Sequence, residues 1–227
     1  MNNYIIENIL LLLVIFIPIL ASIKLRSTYN KYKKVNNSGG LTGFDVARKI
    51  LDSNGLKDMY IVETPGNLTD HYDSRGKVVR LSSDIFHGNS IASLAVAAHE
   101  CGHAIQDKEN YLWLKFRTAL FPVVNFVTRV AYILFFISII LQYFGGIYFA
   151  LVMVLFGLVF QVVTLPVEFN ASARALDKIE EYNLITSDER YGAKKVLTAA
   201  AMTYVAAVLS EILNLVRIIL SINDRRR

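Results

Sequence analysis

The sequence predicts a mainly α-helical membrane protein in which an α+β region with a small sheet is joined to three or four hydrophobic helices. Hydrophobic residues make up 54% of the 227 residues and charged residues only 19%, against about 25% charged residues in an ordinary soluble domain. The mean hydropathy is +0.40, and the apolar residues form long runs, which indicates helices that face lipid. The positive charge is densest in two short clusters, and neither is interleaved with aromatic residues in the way that a nucleic-acid surface would be. We therefore expect membrane-flanking charge and no nucleic-acid partner.

The first hydrophobic run, residues 8–23, contains no charged residue. Tyr4-Ile5-Ile6 extends it to nearly the roughly 20 residues that cross a bilayer. No Lys or Arg precedes the run and no cleavage site follows it, so residues 1–23 are predicted to be an uncleaved transmembrane anchor. Because basic residues follow this anchor, the positive-inside rule places the next segment in the cytoplasm. These residues are Lys24, Arg26, Lys31, Lys33 and Lys34.

Residues 24–117 form the predicted cytoplasmic region. An apolar stripe after Thr42, a good N-cap residue, predicts a helix over residues 43–54, and a second helix is expected over residues 90–108. Strand candidates lie between these helices, at residues 60–62 and 77–86. The second candidate is either an exposed edge that could pair with an extended peptide or an ordinary sheet interior.

A second hydrophobic zone, residues 118–167, is too long for one membrane span. No charged residue occurs from residue 130 to 167, and Gly145-Gly146 interrupts the zone. This pattern predicts a transmembrane hairpin with helices over about residues 119–142 and 147–165. Arg129 lies within the first of these helices, where a charge usually has a partner or faces the bundle interior.

The remaining chain divides into residues 168–195, which are polar and helical in pattern, and residues 196–227. The last apolar stretch contains Glu211 and Arg217 and ends in a basic C-terminus, Arg225 to Arg227. If this stretch spans the membrane, the terminal arginines lie outside, against the positive-inside rule. If it lies along the surface or packs on the bundle, no conflict arises.

The strongest functional signal is the sequence H-E-C-G-H at residues 99–103. On a helix, His99 and His103 are four residues apart and share one face, so both imidazoles can bind one metal ion. Glu100 lies beside the first ligand, where it can accept a proton from a zinc-activated water as general base. Cys101 lies on the opposite side of the helix, which makes it a poor ligand.

A zinc enzyme needs a third protein ligand and an open position for water. Glu168 is the preferred candidate, because a hairpin out and back returns the chain to the cytoplasmic side at this residue. A helix that starts there would present Ser172 on the same face, where it can orient a ligand. The alternative is that Glu168 only caps this helix. His71 and His87 are weaker candidates for the third ligand.

Four segments together resemble the YugP-type family of bacterial membrane zinc metallopeptidases. They are T-D-H-Y-D at residues 69–73, V-R-L-S at 79–82, A-A-H-E-C-G-H-A-I-Q at 97–106 and P-V-E-F-N-A-S-A-R-A at 166–175. The resemblance covers most of the chain and implies a zincin-like catalytic region, a plasma-membrane location and a gluzincin site completed by Glu168. The HtpX-like and CAAX-processing membrane proteases are more distantly similar, with an aspartate where this chain has Ser172.

The sequence thus predicts a membrane-bound zinc metalloendopeptidase whose active site lies at the cytoplasmic face. Zn²⁺ is the expected cofactor, and a peptide or protein substrate and membrane lipid are the expected partners. His71, Tyr72 and Arg174 are unranked candidates for the donor that stabilises the oxyanion. The alternative is a catalytically inactive scaffold or metal-binding protein, which would leave Glu100 without a role. The sequence carries no signal of oligomeric state.

Overall fold

The structure is a computed structural model that describes residues 2–143 and 145–224. It contains seven helices and three strands within these ranges. The predicted basic C-terminus, Arg225 to Arg227, lies outside the described residues. In chain order the elements are α1 (Asn2–Tyr32), α2 (Gly43–Ser53), β1 (Tyr60–Thr64), β2 (His71–Asp73), β3 (Val78–Ser82), α3 (Ser83–Phe86), α4 (Ile91–Lys108), α5 (Leu112–Ile140), α6 (Gly146–Glu181) and α7 (Ser187–Asp224).

Four helices, α1, α5, α6 and α7, are long and apolar enough to cross a membrane. This result confirms the predicted fold class of a mainly α-helical membrane protein with a small sheet. The hairpin helices extend further than predicted: α5 begins at Leu112 and α6 continues through Pro166 to Glu181. Proline is tolerated inside such helices because neighbouring groups satisfy the backbone that it frees.

The chain forms two compact units. A helical unit contains Met1–Ser22, Lys115–Leu165 and Thr203–Arg227, and a mixed unit contains Ile23–Leu114 and Pro166–Met202. The mixed unit holds the whole sheet, α2, α3 and α4, and it takes up α6 from Pro166 onward.

The sheet of the mixed unit has the strand order β1-β3-β2. β1 pairs with β3 in parallel, from Tyr60 opposite Val78 to Thr64 opposite Ser82. β2 pairs with β3 antiparallel, with Tyr72 opposite Val79. The strand predicted at residues 77–86 is therefore the central strand and not an edge, and it ends at Ser82, where α3 begins.

Helix α4 is the central element of the mixed unit. The Ser90 side chain caps it by accepting a hydrogen bond from the Ser93 backbone N–H, which satisfies one of the free donors of the first turn. The helix is buried on almost every side, with Leu94, Ala97 and Ala104 fully covered. α2, held by a capping box between Thr42 and Asp45, packs against it.

Small side chains on α4 let other backbones approach closely. At Gly102 a Cβ atom would lie only 2.6 Å from the carbonyl oxygen of Ala171 on α6. Such a separation is shorter than any ordinary van der Waals contact, so only glycine fits at this position. The close approach of α6 to α4 determines which side chains of the two helices can meet.

Candidate metal centre

His99, His103 and Glu168 form one cluster in the mixed unit. One ligand atom from each residue lies within 4.8 Å of the others, and this is the group capable of holding a metal ion within the described residues. The His99 Nε2 atom is 3.3 Å from Glu168 Oε2, and the His103 Nε2 atom is 3.6 Å from the same oxygen. The cluster is largely shielded from solvent, since the Glu168 side chain is only 3% exposed.

These separations fit a zinc ion. Zinc binds imidazole nitrogen and carboxylate oxygen at about 2.0–2.2 Å in tetrahedral sites. Two ligand atoms at such distances from zinc, with a ligand–zinc–ligand angle of about 109°, are roughly 3.4 Å from each other. The observed N–O distances of 3.3 Å and 3.6 Å bracket that value.

Hydrogen bonds around His103 determine which of its ring nitrogens faces the cluster. The amide nitrogen of Gln106 donates to the backbone carbonyl of Val167, at 2.8 Å, and to Asn170 Oδ1, at 3.0 Å. The Gln106 Oε1 atom therefore faces His103 Nδ1, at 3.0 Å. Because a carbonyl oxygen only accepts, Nδ1 carries a proton. In the neutral ring the Nε2 lone pair is then directed at Glu168.

The geometry of His103 is compatible with a bound metal ion. A lone pair on Nε2 that faces a carboxylate oxygen at 3.6 Å is repelled unless a positive charge, either a metal ion or a proton on the ring, lies between the two atoms. At His99 the Nδ1 atom is 3.3 Å from the hydroxyl oxygen of Ser172, the residue that the sequence placed on the same face as Glu168. The residues present thus fit zinc in donor type, spacing and orientation.

Glu100 is buried beside the cluster, at 7% exposure. Burial, opposed by the charge of His99, raises the pKa of Glu100 to about 7, and the carboxylate also accepts a backbone hydrogen bond from Tyr72. Tyr72 lies on β2, an edge strand of the sheet. The base candidate therefore lies at the junction between the metal cluster and a strand edge.

The other histidines do not join the cluster. His71 Nδ1 is 2.8 Å from the carbonyl oxygen of Thr69, and His87 Nε2 is 3.2 Å from a carboxylate oxygen of Glu63. Both imidazoles are exposed. The Cys101 thiol points toward the Ala47 carbonyl oxygen, on the side away from the ligands, as predicted.

Two of the three candidate oxyanion donors are engaged elsewhere. The Tyr72 hydroxyl donates to Asp107, at 2.6 Å, and burial together with this bond raises the pKa of Tyr72 above its ordinary value. Arg174 pairs with Glu109, at 2.7 Å, and with Asn170, also at 2.7 Å. Arg174 therefore ties α6 to the end of α4.

Sequence reasoning missed Gln106. This residue is fully buried and connects His103 with α6 through Val167 and Asn170. One local signal was available, because Gln106 is three residues after His103 and thus lies on the same face of the helix. Its two acceptors are more than 60 residues away in the sequence, so only the tertiary structure reveals them.

Comparison with known proteins identifies the family. The family model described as "Putative neutral zinc metallopeptidase" matches residues 7–223. This protein belongs to that family. It is also similar to the "Putative membrane protease YugP" of Bacillus subtilis (strain 168), with 45% identity over 200 residues that cover 88% of this chain and 89% of the relative. No solved structure shows significant similarity to the chain.

The family membership supports the expected cofactor and class of substrate. Zinc is the metal of the family, and a peptidase acts on a peptide or protein. The membrane protease relative and the four apolar helices agree in identifying a membrane protein.

Proposed function

We propose that this protein is a membrane-bound zinc metalloendopeptidase of the gluzincin type. In this proposal His99, His103 and Glu168 hold the metal, and Glu100 is the general base. The observation that carries the proposal is the convergence of two imidazole Nε2 atoms on one buried Glu168 oxygen. The His103 ring is turned toward that oxygen by Gln106.

Bound zinc would supply Lewis-acid polarisation of a water molecule and of the scissile carbonyl. A carboxylate oxygen of Glu100 accepts the proton from the attacking water and then delivers it to the leaving amine. Burial raises the pKa of Glu100 above its ordinary value, which makes this carboxylate a stronger base than a solvated one. The Gln106 and Ser172 side chains hold the two imidazoles in place while the proton moves.

We also propose that the substrate binds as an extended strand along the open edge of β2. β2 pairs with β3 on one side only, and its Tyr72 backbone reaches Glu100. An extended peptide that adds to this edge would bring its backbone next to the base. Peptides N-methylated at successive bonds should then lose cleavage at alternate positions, because alternate N–H groups face the strand.

The deciding experiment compares zinc content and casein cleavage for four purified full-length proteins. Wild type should bind about one zinc and cleave, Glu100→Gln should keep zinc and lose activity, and Glu168→Ala should lose zinc. Glu63→Gln is the matched control, since Glu63 is an exposed residue of β1 and should behave as wild type. Full cleavage by Glu100→Gln would refute its role as base. Zinc binding without cleavage by wild type would favour the scaffold alternative.

We propose that the active site lies at the cytoplasmic face, because the basic cluster directly follows the apolar run of α1, residues 8–23. The test is a single exposed cysteine in the mixed unit, Ser38→Cys, since the native Cys101 is buried. A membrane-impermeant maleimide should label this variant in inverted vesicles and not in intact cells. Labelling in intact cells would reverse the orientation.

A further inference from the structure

The helical unit contains a cavity of about 590 Å³ that has no part in the proposed reaction. Residues from the N-terminal part of α1, the end of α5, the start of α6 and the end of α7 line it. Its volume lies within the range of about 300–1,000 Å³ typical of ligand sites. The lining is mostly apolar but includes one acidic and one basic side chain, Glu7 and Arg217.

The guanidinium of Arg217 lacks a counter-ion within the described residues. Its Nε and Nη2 atoms both donate to Asn214 Oδ1, at 3.2 Å and 2.9 Å. Asn214 lies one turn earlier on α7, where its amide orients the guanidinium without neutralising the charge. A charge near the end of an apolar helix is stabilised by an anion at headgroup level. An arginine fork is well suited to pair with phosphate oxygens.

Glu7 supplies the opposite charge in the same lining. It forms no ion pair with Arg217 or with another cation in the part of the chain that the structure describes. An acid and a base that line one cavity without pairing to each other are complementary to a ligand that carries both charges. Within a bilayer, the abundant ligand of this kind is a phospholipid with a zwitterionic headgroup.

The opening of the cavity also suits a lipid. Ile139 and Tyr143 belong to the lining, and these side chains are 55% and 65% exposed. Ile139 is in the last turn of α5 and Tyr143 follows the helix, so exposed side chains border the cavity at this end of α5. Apolar residues such as Ile147 and Ile218 complete the wall, where the glycerol end of the acyl chains can pack.

We propose that this cavity binds a phospholipid with a primary ammonium group, phosphatidylethanolamine. Arg217 pairs with the phosphodiester, and Glu7 accepts hydrogen bonds from the ammonium group. Phosphatidylglycerol shares the phosphate but lacks the ammonium group, so Arg217 recognises both lipids and Glu7 selects between them. The site is independent of the metal centre and of the proposed peptidase activity.

The experiment measures the affinity of the purified full-length protein for each lipid in detergent, from the rise in Tm on lipid addition. Wild type should prefer phosphatidylethanolamine to phosphatidylglycerol. Arg217→Gln should bind both lipids at least about tenfold more weakly, since a charge-assisted pair is lost. Glu7→Gln should lose the preference and keep its affinity for phosphatidylglycerol.

Arg129→Gln is the matched control, because Arg129 belongs to α5 in the same unit, is exposed and does not line the cavity. It should bind both lipids as wild type does. If Arg217→Gln fails to purify, Ala150→Leu replaces it, since the larger side chain fills the cavity from its wall and should weaken both lipids. Unchanged lipid affinity in Arg217→Gln or Ala150→Leu overturns the proposal. Equal affinity of wild type for the two lipids overturns the assignment of Glu7.

Discussion

Gly102 lies between the two histidines of the motif, on the face of α4 that packs against α6. A methyl group at this position would lie 2.6 Å from the carbonyl oxygen of Ala171, whereas ordinary contact begins at 3.4 Å. The neighbouring atoms of Ala171, its carbonyl carbon and Cα, would both be 3.2 Å away. The obstacle is backbone, which no rotamer change can remove. In Gly102→Ala the two helices must therefore separate locally by about 0.8 Å.

This separation acts on the proposed metal centre because Glu168 is less than one turn before Ala171 on the same helix. If the whole displacement reaches Glu168, its distances from His99 and His103 increase from 3.3 Å and 3.6 Å to about 4.1 Å and 4.4 Å. Zinc sites tolerate deviations of only about 0.2 Å in each bond. We expect zinc affinity to fall about 10- to 100-fold, the range seen when the groups that position metal ligands are removed.

The effect of Gly102→Ala on folding should be smaller than its effect on the metal. Alanine favours a helix over glycine by about 1 kcal/mol, and overpacking a buried contact costs about 1–3 kcal/mol. The first term partly offsets the second, so the free energy of unfolding of the metal-free protein should fall by at most about 2 kcal/mol. A folded protein with impaired zinc binding is the expected result.

The assay is a chelator competition titration for zinc, with urea unfolding of the metal-free protein in parallel. Gly157→Ala is the matched control, since a Cβ at this helical glycine meets nothing closer than 3.6 Å. The control should keep the zinc affinity of wild type. Wild-type zinc affinity in Gly102→Ala would refute the argument that helix spacing at this glycine determines the ligand geometry.

Three further predictions test the surroundings of the site. In Gln106→Leu the Nδ1 proton of His103 loses its acceptor, and chelator titration should detect a 10- to 100-fold loss of zinc affinity; wild-type affinity would contradict this. Tyr72→Phe loses the hydrogen bond to Asp107, and denaturant titration should show a free energy of unfolding about 1 kcal/mol lower. Its kcat should be retained. A large loss of kcat would instead identify the hydroxyl as a donor to the transition state. Removal of zinc by chelation should lower Tm in wild type and in Glu100→Gln alike. Zinc at about 1,000 times its Kd stabilises the folded state by about 4 kcal/mol. An unchanged Tm would mean that zinc is not bound by the folded state.

The local part of the candidate site was predictable from the sequence. His99 and His103 are one helical turn apart, and the geometry of any α-helix brings them to one face. Glu168 required a further step, because it is 65 residues beyond His103, and topology alone suggested its return to the same side. The cluster in the structure contains the three residues that the sequence singled out.

Features that depend on contacts between distant elements could not be predicted from the sequence. The sequence of Val78–Ser82 is compatible with an edge strand or an interior strand. Only the structure shows that β1 and β2 pair with its two sides and make it the central strand, β3. Arg174 was one of three unranked candidates for the oxyanion donor, and its bonds to Glu109 and Asn170 are seen only in the structure. Helix α6 continues through Pro166, although proline in most sequence contexts marks a helix boundary.

The arrangement of Gln106 explains why a few buried hydrogen bonds matter so much at this centre. A glutamine amide can be turned by 180° at little cost, and the reversed amide would present N–H groups to His103. Two acceptors, the Val167 carbonyl and Asn170 Oδ1, prevent this reversal, because each would then face a carbonyl oxygen. Both acceptors flank Glu168 on α6, so the same residues that supply the third proposed ligand also orient the second imidazole. A shift of α6 should therefore disturb two ligands together, which is why we expect Gly102→Ala to lower zinc affinity at least as much as Gln106→Leu.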